Sequence, residues 1–144
     1  MRQPIEWDAD RWPNFRPEEG ANPDWSKTGL AYVEPKLLDL LQDLRTTLGF
    51  PLRITSAYRS PLHNVSVSST GFEGPHTTGL AVDVGVAGKE AGEFLEVVMR
   101  EFTAVGLPDD LRIQGIGIAQ RGLWRDRFIH IDALSRPYLT IWSY

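Results

Sequence analysis

Cysteine is absent from this chain of 144 residues. Its absence excludes a disulfide scaffold and a thiolate metal site, so any transition-metal site must draw on His, Asp or Glu. It fits a reducing or an oxidising compartment alike. Apolar runs are short, and none approaches the roughly 20 residues that a transmembrane helix needs. No membrane partner is therefore expected. The opening Met1-Arg2-Gln3-Pro4-Ile5-Glu6-Trp7-Asp8 lacks the apolar centre of a secretory signal. The expectation is synthesis in the cytoplasm, with any action outside following lysis, assembly into a particle, or removal of a leader. Positive charge is also short: the formal charge is -4, and no Lys/Arg cluster with interleaved aromatics occurs. A partner bound by neutralising phosphates is disfavoured, so no nucleic acid is expected.

What is present is an ordinary globular composition, 42% hydrophobic and 24% charged. That suits one domain over residues 1–144, expected as a monomer. Residues 1–32 are rich in Pro, Trp, Asn, Asp and Gly without a sustained period. They read as an irregular arm anchored by Trp7, Trp12, Phe15 and Trp25. Glu34-Pro35 opens a helix, with proline where its missing N–H is harmless. Leu37, Leu38, Leu41, Leu44 and Leu48 follow at helical spacing, and Gly49 supplies the stop. A second helix is expected over 89–102, with Ala91, Phe94, Leu95, Val98, Met99 and Phe102 inward and Gly106 beyond its end. Strands are expected at 52–56, 81–86, 114–118 and 127–132, with a further one at 139–142. Tyr58-Arg59-Ser60-Pro61 reads as a turn with room for a short helix after it. Residues 65–75 read as a surface loop, and Asp109-Asp110 as a solvated one. This order predicts an α+β fold, a small antiparallel sheet with helices on one face.

Strand periodicity carries the functional reading. In 81–86, Val82, Val84 and Val86 share one face and Asp83 lies on the other; in 127–132, Ile129 and Ile131 oppose Phe128, His130 and Asp132. With the aliphatic faces on the helices, the opposite face gathers Asp83, His130 and Asp132 in a groove that His76 reaches from its loop. Two of the three histidines, His76 and His130, fall at this groove. Two imidazoles and a carboxylate are a common set for a catalytic zinc, because three protein ligands leave a position for water.

These residues resemble the zinc D-alanyl-D-alanine carboxypeptidases and peptidoglycan endopeptidases, which share a fold with the hedgehog signalling domain. His76, Gly79, Ala81 and Asp83 match the motif S-x-H-x-x-G-x-A-x-D, and Phe128-Ile129-His130-Ile131-Asp132 matches the distant F-[IV]-H-[IV]-D. Ile54 to Asn64 is similar to the segment written SGYRSPEHN. The start around Asn14 to Glu19, the helix around Leu41 to Arg45 and the close from Arg136 to Tyr144 also look alike. The resemblance implies Zn2+ held by His76, Asp83 and His130, with Arg59 stabilising oxyanion charge or binding substrate. It implies a bacterial cell-wall peptide as substrate. A phage or prophage product is expected from the lack of a signal and of a wall-anchoring module. Tyr58 and Trp142 are expected to touch substrate. Two departures stand out: Gly74 replaces the serine before the first histidine, and Arg127 replaces a glutamate that some relatives carry. By position Asp132 is the leading general base, ahead of Asp126 and Glu73. Alternatively it orients an imidazole or simply ends a strand. His63 is expected to be structural. A zinc-holding module that binds wall peptides or a protein without cleaving them is the alternative.

Overall fold

A computed structural model describes residues 2–24, 26–104, 106–107 and 112–144. Trp25 and Asp109-Asp110 lie outside the described residues. Among the described residues three α-helices are formed: α1 (Pro35–Leu48), α2 (Pro61–Val67) and α3 (Gly88–Glu101). Five strands of these residues form one sheet: β1 (Arg53–Ser56), β2 (Ala81–Gly85), β3 (Gly115–Ala119), β4 (Phe128–Asp132) and β5 (Thr140–Ser143), in the order β1-β2-β4-β3-β5.

The helix α1 forms as its sequence dictates. Proline stands in its first turn, and Gly49 closes it at φ 76°, its N–H reaching the Arg45 carbonyl. Leu37, Leu38, Leu40, Leu41 and Leu44 are buried. In α3 the inward face is Ala91, Phe94, Val97 and Val98. Val97 thus takes the place expected of Met99, which is 39% exposed. The helix closes at Phe102, ahead of Gly106: its N–H bonds back to Val98, and its carbonyl is taken by the Ile113 N–H. These faces pack on one side of the sheet, against Ile54, Val82, Val84, Ile116, Ile129 and Ile131. Each such side chain contributes about 1.5–3 kcal/mol by leaving water. The short α2 stands apart, its Asn64 and Val67 lining the groove on the other side.

The α+β expectation holds, with one difference in the sheet. Four strands are antiparallel, but β5 runs parallel to β3. Gly115, which opens β3, faces both Asp132 at the end of β4 and Thr140 at the start of β5. Residues 133–139 therefore step past the start of β3, and the chain sets off again in the direction of β3.

The N-terminal arm is held by Trp12 and Phe15, both buried in the core. Its outer hold is polar. Arg11 pairs with Asp39 at 2.6 and 2.8 Å, and the Trp12 indole N–H donates to the same carboxylate at 2.9 Å. The hydrogen bond from Arg11, with help from Trp12, keeps the Asp39 carboxyl below its ordinary value despite partial burial. A carboxyl depressed on folding contributes stability above its unfolded pKa, about 3.9, and loses it as pH falls through the lower folded value. Asp39→Ala is therefore expected to lower the urea midpoint at pH 7, with the gap from the parent narrowing steadily below about pH 4. A gap independent of pH would show that the hold is packing alone.

Candidate metal centre

The register of β2 against β4 sets Asp83 opposite His130. Both are buried, at 6% and 1% exposure. His76 arrives from a 3-10 turn, Pro75–Thr78, that ends at Gly79 with φ 76°. Glycine is required there twice over. The backbone is left-handed, and a Cβ would lie 2.6 Å from Arg2 Nε and 3.0 Å from the Tyr32 carbonyl.

Three acceptor-capable atoms converge. His76 Nε2 lies 3.2 Å from Asp83 Oδ1, His130 Nδ1 lies 3.0 Å from the same oxygen, and the two ring nitrogens are 3.3 Å apart. The remote ring atoms fix the tautomers. His76 Nδ1 faces the Ala57 carbonyl at 2.8 Å, and a carbonyl only accepts, so this nitrogen carries the proton. His130 Nε2 donates to Asp132 Oδ2 at 2.8 Å. Both inward nitrogens then present lone pairs beside a carboxylate oxygen, an arrangement that calls for a cation.

The donor set fits zinc. Bonds of 2.0–2.1 Å in a tetrahedron put ligand atoms about 3.3 Å apart, against the 3.0 to 3.3 Å found. His76, Asp83 and His130 could therefore hold a metal ion. Burial alone would raise the Asp83 carboxyl, but where a proton takes the place of a cation on the inward nitrogens, hydrogen bonds from His130 and His76 outweigh it and hold it well below the carboxylate range. Burial would lower the His130 imidazole, and Asp132 and Asp83 reverse that and raise it.

Arg59 stands at the rim of this cluster. Its Nη2 is 3.6 Å from Asp83 Oδ2, its Nε donates to Ser56 Oγ and its Nη1 to Asn64 Oδ1. Asn64 is 1% exposed. Its Nδ2 donates to Thr70 Oγ1 at 2.7 Å and to the Gly71 carbonyl at 2.6 Å, tying the 68–74 loop to the arginine. A groove of about 440 Å³ runs over the cluster, with Arg59 and the loop among its lining and Phe128, Trp142 and Tyr144 also facing it. The Trp142 ring lies 5.1 Å from that of His130. Gly74, the departure from the motif, also has a spatial reason: the space for a side chain there is taken by the Thr70 hydroxyl.

Two assignments change. Asp132 is fully buried behind His130, bound to the ring atom that faces away from the cluster and to Arg136 at 2.9 and 3.3 Å. From there its carboxylate holds the imidazole on the side away from the cluster, and it is not part of the groove lining. Burial would raise its pKa, but His130 and then Arg136 bring it below the ordinary value. Tyr58 is 1% exposed and stacks on Tyr32 at 5.6 Å, so it belongs to the core. Glu73 and Asp126 are exposed and outside the groove lining. Among the described residues that line the groove, Asp83 carries the only carboxylate. His63 is buried on α2, with Nε2 3.3 Å from the Asn22 amide.

Sequence reasoning missed Asn64, Arg136, Gly115 and Gly117. The run Gly115-Ile116-Gly117-Ile118-Ala119 held a signal for the glycines, since one strand face carries isoleucines and the other almost nothing. An empty strand face marks something lying on it.

The model of the Peptidase M15 family matches residues 14–132. The chain belongs to that family. It is the family its motifs resemble, and the matched span contains His76, Asp83, His130 and Arg59. No curated protein and no solved structure matches the chain. Among the described residues, no helix of this M15 peptidase is long and apolar enough to cross a membrane.

His76→Ala is expected to abolish stoichiometric zinc binding, read by metal analysis after gel filtration. Asp132→Ala is expected to weaken zinc about 10–100-fold without abolishing it, read by competition with a chelator. Equal losses in the two variants would place Asp132 among the ligands.

Proposed function

We propose that this M15 peptidase is a zinc enzyme that hydrolyses the peptide stems of bacterial peptidoglycan, as a D,D-carboxypeptidase or endopeptidase. The observation that carries the reading is the convergence of His76, Asp83 and His130 on one point at tetrahedral spacing, at the base of an open groove. A zinc ion bound there would supply an acidified water and polarise the scissile carbonyl.

The chain's own residues supply the rest. The Ala57 carbonyl and Asp132 keep the His76 and His130 lone pairs directed inward. Arg59, held by Ser56 and Asn64, brings a fixed planar cation to the rim. There it shares the charge that develops on the carbonyl oxygen, or grips a carboxylate of the substrate. Trp142 gives the groove an apolar side. This reading has the protein act on the wall after lysis or as part of a phage particle, as a monomer. A second reading, a zinc-holding module that binds wall peptides or a protein partner without cleaving them, is favoured by one observation. No carboxylate besides Asp83 lines the groove among the described residues, so a proton acceptor for water is not evident in it.

Purified peptidoglycan digested by the zinc-loaded protein, with and without chelator, is expected to release fragments that vanish with chelator. Mass spectrometry of those fragments names the bond. Zinc bound stoichiometrically with no fragment released would favour the binding module. Arg59→Ala is expected to lower turnover about 10²–10³-fold with zinc content unchanged; full turnover in that variant would remove the arginine from the mechanism.

A further inference from the structure

The site face of β3 is nearly bare: it presents Gly115, Gly117 and Ala119, while Ile116 packs in the core. Gly117 pairs with His130 on one side and Trp142 on the other. Its backbone is not among those with positive φ, so conformation does not demand glycine there. Space does. A Cβ would lie 2.6 Å from Trp142 Nε1, 2.7 Å from its Cε2 and 2.9 Å from Tyr144 Cε2. Contacts under about 3 Å force a shift, and here the atoms met belong to rigid rings rather than to flexible chain ends. The indole thus lies across β3 and comes within 5.1 Å of the His130 ring. Tyr144 extends the same wall, 6.5 Å from Trp142 and 5.2 Å from Phe128. In the strand order β1-β2-β4-β3-β5, this wall stands on the β5 side of His130, and Arg59, next to β1, stands on the other.

We propose that Gly117 is a specificity-determining position: by leaving β3 bare it seats Trp142 beside His130, and the indole then sets the size of the substrate residue accepted on that side of the groove. The wall of rings is apolar and narrows that side, so an aliphatic side chain suits it and a larger one is admitted when the indole is removed, with the charged or polar part of the peptide directed to Arg59. Gly117 acts through Trp142, so it is a positioning residue, and the indole is the surface that touches substrate. The substrate side of this inference rests on the peptidase reading; the placement of the indole does not.

The test uses the zinc-loaded full chain and synthetic stem peptides with alanine or leucine at the residues flanking the scissile bond. Gly117→Ala is expected to shift the indole N–H resonance of Trp142, assigned with Trp142→Phe. It is expected to leave zinc affinity within about twofold and to raise KM for the alanine peptides about tenfold. Trp142→Ala is expected to shift the kcat/KM ratio toward leucine peptides by about tenfold or more. In the Gly117→Ala background, Trp142→Phe is expected to recover most of the lost KM, because a smaller ring relieves the crowding; a merely structural glycine would show no such rescue. An unmoved indole resonance, loss of zinc in step with KM, or failure of the rescue would overturn the proposal. Should Gly117→Ala not fold, Trp142→Ala decides, and an unchanged alanine-to-leucine ratio refutes it. Should the parent cleave no peptide, the peptidase reading fails separately. Titration with the alanine peptide then decides: a perturbed Trp142 indole resonance supports the proposal, and an unperturbed one overturns it.

Discussion

Everything in this site hangs on one register, that of β2 against β4. Asp83 faces His130, and Ala81 faces Asp132. Because strand side chains alternate with period two, a slip of one residue would send Asp83 into the aliphatic layer and bring Val82 or Val84 to the groove. Burial fixes the register. Val82, Val84, Ile129 and Ile131 are each at most 1% exposed on the helix side, so the pairing that buries them also brings the carboxylate to the imidazole. Stability and chemistry share a single constraint, read from opposite faces of the same two strands.

The polar side is assembled in layers outward from that pair. His130 leans on Asp132, and Asp132 on Arg136. Arg136 lies in turn over the Trp142 ring, 5.6 Å from its centre. His76 leans on a main-chain carbonyl, and Arg59 on Ser56 and Asn64. Each partner occupies a donor or acceptor that would otherwise be buried and unpaired. The cluster is thereby held in one arrangement from both flanks. The bare face of β3 provides the room on the Asp132 and Trp142 flank.

Much of this was legible in the sequence, for physical reasons that vary by element. The leucines and Gly49 of α1 announce a helix and its end because packing and capping are local. The Val and Ile alternation announces β2 and β4 because the faces differ so sharply. The three ligand candidates were legible because their faces and motifs agreed. Less legible was whatever depends on how strands lie beside each other. The direction of β5 follows from a loop stepping past β3, and no periodicity encodes that. Asp132 shares a strand face with His130, yet sharing a face does not say which ring nitrogen it meets; the structure sets it against Nε2, on the side away from the cluster. Tyr58 adjoins Arg59 in sequence but turns inward to stack on Tyr32, a contact with a distant segment. The glycines of β3 were visible as letters, but their meaning lay in Trp142 and Asp132, which reach over them from other strands.

The separations within the site have a consequence for the order of folding. His130 meets Asp83 across 47 residues and His76 across 54. No helix or hairpin can preassemble this trio, unlike a metal site drawn from successive turns of one helix. The long connection through α3 and β3 must close before the imidazole of β4 finds its partners, and such closures come at an entropic cost that only the completed sheet offsets. An ion that needs all three ligands therefore has nothing tight to hold until the sheet is complete. It would act as a late lock on a finished fold, slowing its opening rather than guiding its formation.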